Sequence, residues 1–208
     1  MDNYLYGIDV SHHNGIIQWD KVAADASMPQ FVYLKATEGG TLVDSKYAAN
    51  RKGAKAQQLL CGAYHFFVPS TPVPDQVANF CNTVASVKGE LLPMLDVEQA
   101  GLAQPDYAAA VMQWLQQVYN NLGYMPGIYT NAGFWNNNVG SFLPFKDYPL
   151  WIAHYTTFPS PKLPPSANYR FWQYTDGAKV NGISGNVDMS RFPGTLEQLN
   201  ALICGALT

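Results

Sequence analysis

The chain has 208 residues, of which 48% are hydrophobic, 13% are aromatic and only 13% are charged, and its formal net charge is −3 at pH 7. This length predicts one domain with a substantial buried core. The acidic balance argues against nucleic acid as a main partner, because the sequence has no basic run that could neutralise phosphates. No apolar run approaches the roughly 20 residues that a membrane-spanning helix needs, so we predict no membrane insertion.

Strand-like and helix-like segments alternate along the first two thirds of the chain. Predicted strands cover residues 5–10, 31–37, 60–67, 91–99 and 125–130, and predicted helices cover residues 19–26, 44–59, 75–87, 105–122 and 132–137. The helix over 105–122 has the clearest pattern, since Val111, Leu115 and Val118 recur at helical spacing.

The final third loses this alternation. Strands are predicted over residues 148–154, 170–174 and 185–189, with a closing helix over 195–203, and prolines between the first two strands disfavour a helix there. Eight strands, five of them followed by helical segments, predict one α/β domain over residues 1–208. Its expected fold is a TIM-like barrel with an irregular last third, (β/α)5(β)3. A doubly wound sheet is the competing fold, but the first strand is not followed by a glycine-rich phosphate turn.

Four carboxylates are predicted at strand ends. Asp96 and Glu98 are separated by one residue, so in an extended strand their side chains point to the same face. Two neighbouring carboxylates resist ionising together, and one should keep its proton to an unusually high pH. Asp9 ends the first strand and Asp188 the last, and these strands are neighbours once a barrel closes. Because the ends of parallel barrel strands converge on one face, we expect all four carboxylates at a single rim.

Three uses of such a rim fit the residues. Glycoside hydrolysis needs a protonated acid at the leaving oxygen and an anion near the positively charged sugar centre. A divalent-metal hydrolase would use Asp9, Asp188 and His12 as ligands. The third use is sugar binding without catalysis.

The composition favours sugar over metal. The four histidines lack metal-ligand spacing, so we predict no metal and no cofactor. Aromatic rings stack on sugar faces, and six aromatic residues lie at or beside the strand ends: Tyr33, Tyr64, Tyr129, Trp151, Tyr155 and Trp172.

Two further polar residues join the predicted site. Lys35 follows Tyr33 by two residues and therefore lies on the same strand face, where its charge would offset part of the repulsion among the carboxylates. Gln173 is interpreted either as a satisfied core amide or as a hydrogen-bonding wall of the site, and we favour the wall.

The cysteines do not form a disulfide framework. Cys61, Cys81 and Cys204 are odd in number and lack C-x-x-C spacing, so we predict buried, reduced thiols. A Cys61–Cys81 bridge stays open at this stage, because spatial proximity cannot be read from the sequence.

A set of short motifs resembles the glycoside hydrolase family 25 lysozymes, the Chalaropsis-type muramidases. The motifs are Gly7-Ile8-Asp9-Val10-Ser11, Phe31-Val32-Tyr33-Leu34-Lys35-Ala36-Thr37-Glu38-Gly39, Gly62-Ala63-Tyr64-His65-Phe66, Leu95-Asp96-Val97-Glu98, Gly127-Ile128-Tyr129-Thr130, Leu150-Trp151-Ile152-Ala153-His154-Tyr155, Trp172-Gln173-Tyr174-Thr175 and Gly185-Asn186-Val187-Asp188. Each motif is modest alone, whereas the set follows the family's order across the whole chain.

The resemblance implies hydrolysis of the β-1,4 bond between N-acetylmuramic acid and N-acetylglucosamine in bacterial peptidoglycan. Glu98 would be the general acid and then the base, and Asp96 would either attack the sugar or orient the substrate's N-acetyl group. Asp9 and Asp188 would help bind the sugar and set the charge of this pair. The predicted substrate-binding residues are Tyr33, Lys35, Tyr64, Tyr129, Trp151 and Gln173.

The resemblance also frames the alternatives. Chitinase-type barrels end their fourth strand in Asp-x-Glu but carry one more Asp two residues earlier, where this chain has Met94. No wall-binding repeats follow the predicted domain, so we expect a single catalytic domain acting as a monomer. Residues 1–4 show neither a basic nor an apolar leader region. We therefore predict an endolysin-like enzyme that is made in the cytoplasm and acts on the wall after release or non-classical secretion.

Overall fold

The computed structural model describes residues 4–27 and 29–206. Nine strands form one sheet: β1 (Tyr4–Val10), β2 (Phe31–Glu38), β3 (Leu42–Val43), β4 (Leu60–Phe66), β5 (Met94–Asp96), β6 (Gly127–Asn131), β7 (Leu150–Ala153), β8 (Phe171–Ala178) and β9 (Val187–Pro193). Eight of them follow one another around a circle that closes where β1 pairs with β2, and β3 is a short antiparallel addition to β2. The predicted TIM-like barrel is confirmed.

Helices follow the first barrel strands, as the alternation predicted. They are α1 (Trp19–Ala23), α2 (Tyr47–Ala56), α3 (Val73–Val84), α4 (Asp106–Leu122), α5 (Ala132–Phe134) and α6 (Leu196–Asn200). A π-helical turn over Trp135–Val139 prolongs α5, and 3₁₀ turns cover His12–Asn14 and Leu143–Phe145. The proline-rich link between β7 and β8, all of it described, contains no helix, so the irregular last third is also present.

The direction of the last strand differs from the parallel barrel that we predicted. β9 pairs antiparallel with both β8 and β1. Asp188 is therefore the second residue of β9 rather than its end, and it lies opposite Asp9 in the register of β1 and β9. Because β9 runs in the reverse direction, its start lies at the same rim as the carboxyl ends of its parallel neighbours.

Aromatic rings fill the interior of the barrel below this rim. Phe31, Tyr33 and Lys35 alternate along one face of β2, and the Tyr33 ring stacks on Trp151 with 4.8 Å between ring centroids. Glycines on neighbouring strands make room for these rings. A Cβ atom added to Gly7 or to Gly62 would come within 2.3 Å of the Phe31 or Tyr33 ring, respectively. The packed rings form a solid floor, so only the rim side chains are open to a ligand.

Two other predictions concern the cysteines and the chain start. All three cysteines are free thiols; Cys61 and Cys204 are buried as predicted, whereas Cys81 is half-buried. The Cys61–Cys81 bridge is therefore absent from the structure. The prediction about a leader region falls on residues 1–3, which lie outside the described residues. Within the described ranges, no helix combines the length and the apolarity that crossing a membrane requires.

Candidate active site

The rim carries two connected depressions. The first, here called the pocket, has a volume of about 80 Å³ and is lined by Asp9, Tyr64, Asp96, Glu98, Tyr129, Trp151, Gln173 and Asp188. The second, here called the arm, has about 350 Å³; it shares Tyr64 and the four carboxylates and adds Val10, Ser11, His13, Asn14, Lys35 and Phe66. The carboxylates thus lie between a deep aromatic pocket and a wider polar arm.

Tyr33 is the predicted site residue that lines neither depression. Its side chain is fully buried, and its hydroxyl donates to the backbone oxygen of Leu92 at 3.3 Å. The prediction that Tyr33 contacts a ligand is wrong, because the residue lies one layer below Lys35 on the same inner face of β2. Trp172, one of the candidate aromatic residues, is also fully buried, and its indole nitrogen donates to the His154 backbone oxygen at 2.8 Å.

The end of β5 holds Asp96 and Glu98 in different environments. Val97, between them, is fully buried; its amide donates to the Tyr129 backbone oxygen at 2.9 Å, and its own oxygen accepts from the Thr130 hydroxyl at 2.7 Å. Asp96 is only 6% exposed, and its Oδ1 has no hydrogen-bond partner among the described residues. Glu98, two residues beyond the end of β5, is exposed to solvent.

Both side chains of this pair are shifted towards their protonated forms. Burial, and then the charge of Glu98, raise the pKa of Asp96 well above its usual range. The pKa of Glu98 is raised by partial burial and then by the charge of Asp188, although the exposure of this residue limits the effect. The positive charge of Lys35 lowers both pKa values in part. A pair of this kind can supply a proton at one position and a negative charge at the next.

Asp9 and Asp188 form a second carboxylate pair across β1 and β9. Burial, and then the negative charge of Asp188, raise the pKa of Asp9 well above its usual range. The pKa of Asp188 is raised by burial but lowered by a hydrogen bond with Asp9. The same hydrogen bond raises the pKa of Asp9, so it favours the protonated form of Asp9 beside an ionised Asp188.

Gln173 connects the second pair to the aromatic wall. Its amide nitrogen donates to both carboxyl oxygens of Asp9, at 3.2 and 3.0 Å. Its amide oxygen accepts from the hydroxyls of Tyr129 and Tyr155, each at 2.8 Å. These four contacts join β1, β6, β8 and the loop after β7, so Gln173 is both a satisfied buried amide and a wall of the pocket.

Lys35 is held by its neighbours rather than directed into open solvent. Its Nζ lies 2.7 Å from Glu38 Oε2 and 4.7 Å from the centre of the Phe66 ring. Trp151 is fixed in a similar way, because its indole nitrogen donates to the Ser190 hydroxyl at 2.9 Å. The positions of both rim residues are therefore set before any ligand binds.

The arm includes residues that the sequence did not indicate. Ser11, His13 and Asn14 belong to the turn after β1, and Phe66 ends β4. Their only signal was position, since each follows or ends a barrel strand on the rim side. A rule that treats every residue of such a loop as a candidate would have found them.

The three residues proposed as metal ligands do not come together in the structure. His12 does not join Asp9 and Asp188, because its ring nitrogen Nδ1 lies 2.7 Å from Asp44 Oδ2. Within residues 4–27 and 29–206, no three His, Cys, Asp or Glu side chains are arranged to hold a metal ion.

Comparison with known proteins decides the family. The family model described as "Glycosyl hydrolases family 25" matches residues 8–183, which include both β5 carboxylates and Asp9. The chain belongs to glycosyl hydrolase family 25. It is therefore a glycoside hydrolase, and the family indicated by the short motifs is confirmed.

The similarity to known proteins covers nearly the whole length of this family 25 chain. The Uncharacterized protein YegX of Escherichia coli strain K12 is 38% identical over 97% of this chain and 74% of that protein. Lysozyme M1 of Streptomyces globisporus is 33% identical over 95% of this chain and 71% of that protein. The crystal structure of the bacterial lysozyme from Streptomyces coelicolor superimposes with a TM-score of 0.91 at 30% identity, covering 98% of both chains.

Proposed function

We propose that this family 25 chain is a lysozyme that hydrolyses the β-1,4 bond between N-acetylmuramic acid and N-acetylglucosamine in bacterial peptidoglycan. The observation that carries the proposal is the pair formed by a buried Asp96 and an exposed Glu98 at the mouth of an aromatic pocket. Several proteins that match most of this chain are also named lysozyme or muramidase.

Glu98 is proposed as the general acid and later the base. Its raised pKa favours the protonated form that a general acid needs, and its exposed position lets it reach the glycosidic oxygen between two sugars. The proton passes to that oxygen as the bond to the sugar carbon breaks. The same carboxylate then takes a proton from the water that attacks the sugar, which restores the starting state.

Asp96 is proposed to act on the intermediate. Its buried Oδ1 has no partner among the described residues, and an unpaired buried acceptor favours a ligand that donates a hydrogen bond. The N–H of a 2-acetamido group is such a donor. We therefore favour Asp96 as the residue that orients the substrate's acetamido group, with direct attack on the sugar as the alternative.

The remaining residues of the pocket are proposed to bind the sugar. Trp151 offers a ring held at a fixed angle, and Tyr129 lies beside it with 4.7 Å between ring centroids. Tyr64 borders both the pocket and the arm. All of these groups come from one chain, so we propose that a monomer is active. Release at host lysis, as in an endolysin, stays a prediction.

The experiment that tests the function is digestion of purified peptidoglycan followed by mass analysis of the fragments. New reducing ends that carry muramic acid are expected. Reducing ends that carry N-acetylglucosamine would instead indicate a glucosaminidase, and no new reducing ends would indicate a binding module. Activity should persist after thorough chelation; loss on chelation with recovery on adding a divalent ion would restore the metal alternative.

A further inference from the structure

A wide concavity lies outside the pocket and the arm. It has a volume of about 710 Å³ and runs along α2, where its lining includes Asp44, Tyr47, Arg51, Lys52 and Lys55. We call it the α2 groove. The proposed hydrolysis at the rim makes no use of it.

The α2 groove is positively charged in a protein whose net charge is −3. The sequence of α2, YAANRKGAKA, carries three basic residues and no acidic one. Arg51 and Lys55 both pair with the buried Glu90, which lies behind the groove. These two cations share one carboxylate, and Lys52 is exposed beside them, so the groove keeps an excess of positive charge.

Asp44 is the acidic residue of the groove lining, but its carboxylate is not open to a ligand. Its side chain is fully buried, and its Oδ2 accepts hydrogen bonds from the His12 ring at 2.7 Å and from the His12 amide at 2.9 Å. Its Oδ1 accepts from the Lys46 amide at 2.9 Å. The hydrogen-bonding capacity of Asp44 is thus used within the protein, whereas Lys52 remains available to a ligand.

The groove begins next to the arm of the active site. Asp44 lines the groove and holds His12, and the ring of His12 lies 3.9 Å from that of His13, measured between centroids. His13 in turn lines the arm. Asp44, His12 and His13 therefore form a chain of contacts from the α2 groove to the arm.

A polar group at the groove also lacks a partner. Tyr47 is 5% exposed, and its buried hydroxyl makes no hydrogen bond to any described residue. Because this oxygen is closed to solvent, it lies behind the groove wall and does not itself meet a ligand. The feature that the groove offers a ligand is its excess positive charge.

We propose, on the basis of the proposed function, that the α2 groove binds the carboxylate-bearing peptide stem of the peptidoglycan strand whose sugars occupy the arm and the pocket. Four carboxylates at the rim repel an anionic stem from the sugar site. The neighbouring cations attract it, and the groove lining follows α2 for about two turns, from Tyr47 to Lys55. The same electrostatic contrast orients the strand across the rim.

The test compares two substrates: peptidoglycan that keeps its stems, and glycan chains from which an amidase has removed them. Lys52→Glu should raise KM several-fold on the stem-bearing substrate with unchanged kcat, and should leave both constants unchanged on the bare glycan. Lys21→Glu, at an exposed lysine of α1 away from the groove, is the matched control and should behave as wild type. An unchanged KM for Lys52→Glu on the stem-bearing substrate would overturn the proposal.

A second measurement changes the ligand instead of the enzyme. Conversion of the stem carboxylates to amides should raise the wild-type KM several-fold, because the charge attraction is lost. The same KM before and after amidation would reject recognition of the carboxylates. Failure of the proposed function itself would look different, since the wild-type enzyme would then release from both substrates either no reducing ends or reducing ends that carry N-acetylglucosamine.

Discussion

The two carboxylate pairs at the rim are built by different means. Asp96 and Glu98 are neighbours in sequence, and the buried Val97 between them places one side chain inside the protein and the other in solvent. Asp9 and Asp188 come from the two ends of the chain and meet through the antiparallel register of β1 and β9. The two members of the first pair therefore differ in exposure, whereas the members of the second pair face each other across two strands.

This difference indicates a division of roles. The end of β5 places one carboxyl group open to a substrate and a second one buried beside it, and glycoside hydrolysis requires an acid and a second carboxyl group in such an arrangement. The Asp9–Asp188 pair is anchored by Gln173 and acts on the first pair through charge. Variants at each pair should then fail in different ways.

The largest effect is expected for Glu98→Gln. This change removes the proton donor and keeps the size of an exposed side chain, so kcat should fall by about 10²–10⁴-fold with little change in Tm. Release of reducing ends from purified peptidoglycan measures the first quantity, and thermal unfolding measures the second. Glu197→Gln, on α6, is the control. Near-normal turnover by Glu98→Gln would reject the division of roles at β5.

Asp96→Asn should lower activity strongly and raise stability. A carboxyl whose native pKa is raised binds its proton more tightly when folded, so the group favours folding at low pH and opposes it above the native pKa. Each unit by which that pKa exceeds 3.8 costs about 1.4 kcal/mol at neutral pH. Removal of the charge should raise Tm at pH 7 by several degrees, and the gain should vanish near pH 3. A lower Tm at pH 7 would contradict the buried, unpaired carboxylate.

The contrast between the pairs also explains what the sequence could predict. The common orientation of Asp96 and Glu98 could be predicted because side chains on a strand alternate faces every two residues. The direction of β9 could not be predicted, because an alternating pattern is the same in either direction. Asp188 was therefore expected at the end of a parallel strand. Tyr33 was assigned to the correct face of β2 but to the wrong depth, because periodicity gives the face and not the layer.

The contacts of Gln173 required the folded chain. Its partners Asp9, Tyr129 and Tyr155 lie on separate elements, and no local pattern joins them. The sequence indicated an amide between two aromatic residues and could not show which groups it binds. The sequence therefore predicted both carboxylate pairs, the second through the expected closure of the barrel, whereas the amide that anchors the second pair required the folded chain.

A smaller effect is expected for Asp188→Asn, which changes the charge acting on Glu98. After burial, Asp188 is the next cause of the raised pKa of Glu98. Removal of this negative charge makes ionisation of Glu98 easier, so the pKa of the acid falls. The basic limb of the kcat/KM profile should move to lower pH, by up to about one unit. Asp106→Asn, in the first turn of α4, should leave the limb in place, and an unmoved limb for Asp188→Asn would show that the pairs are not coupled.

The smallest effect is expected for Tyr155→Phe, which tests the anchor of the second pair. The hydroxyls of Tyr129 and Tyr155 both donate to Gln173 Oε1, and together they keep the amide nitrogen turned towards Asp9. We expect either hydroxyl alone to maintain this orientation. Tyr155→Phe should therefore lower kcat/KM only about 2- to 10-fold, the worth of one modest hydrogen bond.

The double variant Tyr129→Phe/Tyr155→Phe shows whether the two hydroxyls act through the shared amide. Without either donor, the amide is free to rotate and to place its oxygen against Asp9, so the loss of kcat/KM should exceed the product of the two single losses. Independent contributions of the two tyrosines to sugar binding would instead multiply. A purely multiplicative result would therefore remove Gln173 as the link between the aromatic wall and the Asp9–Asp188 pair, and would leave that pair held by its strand register alone.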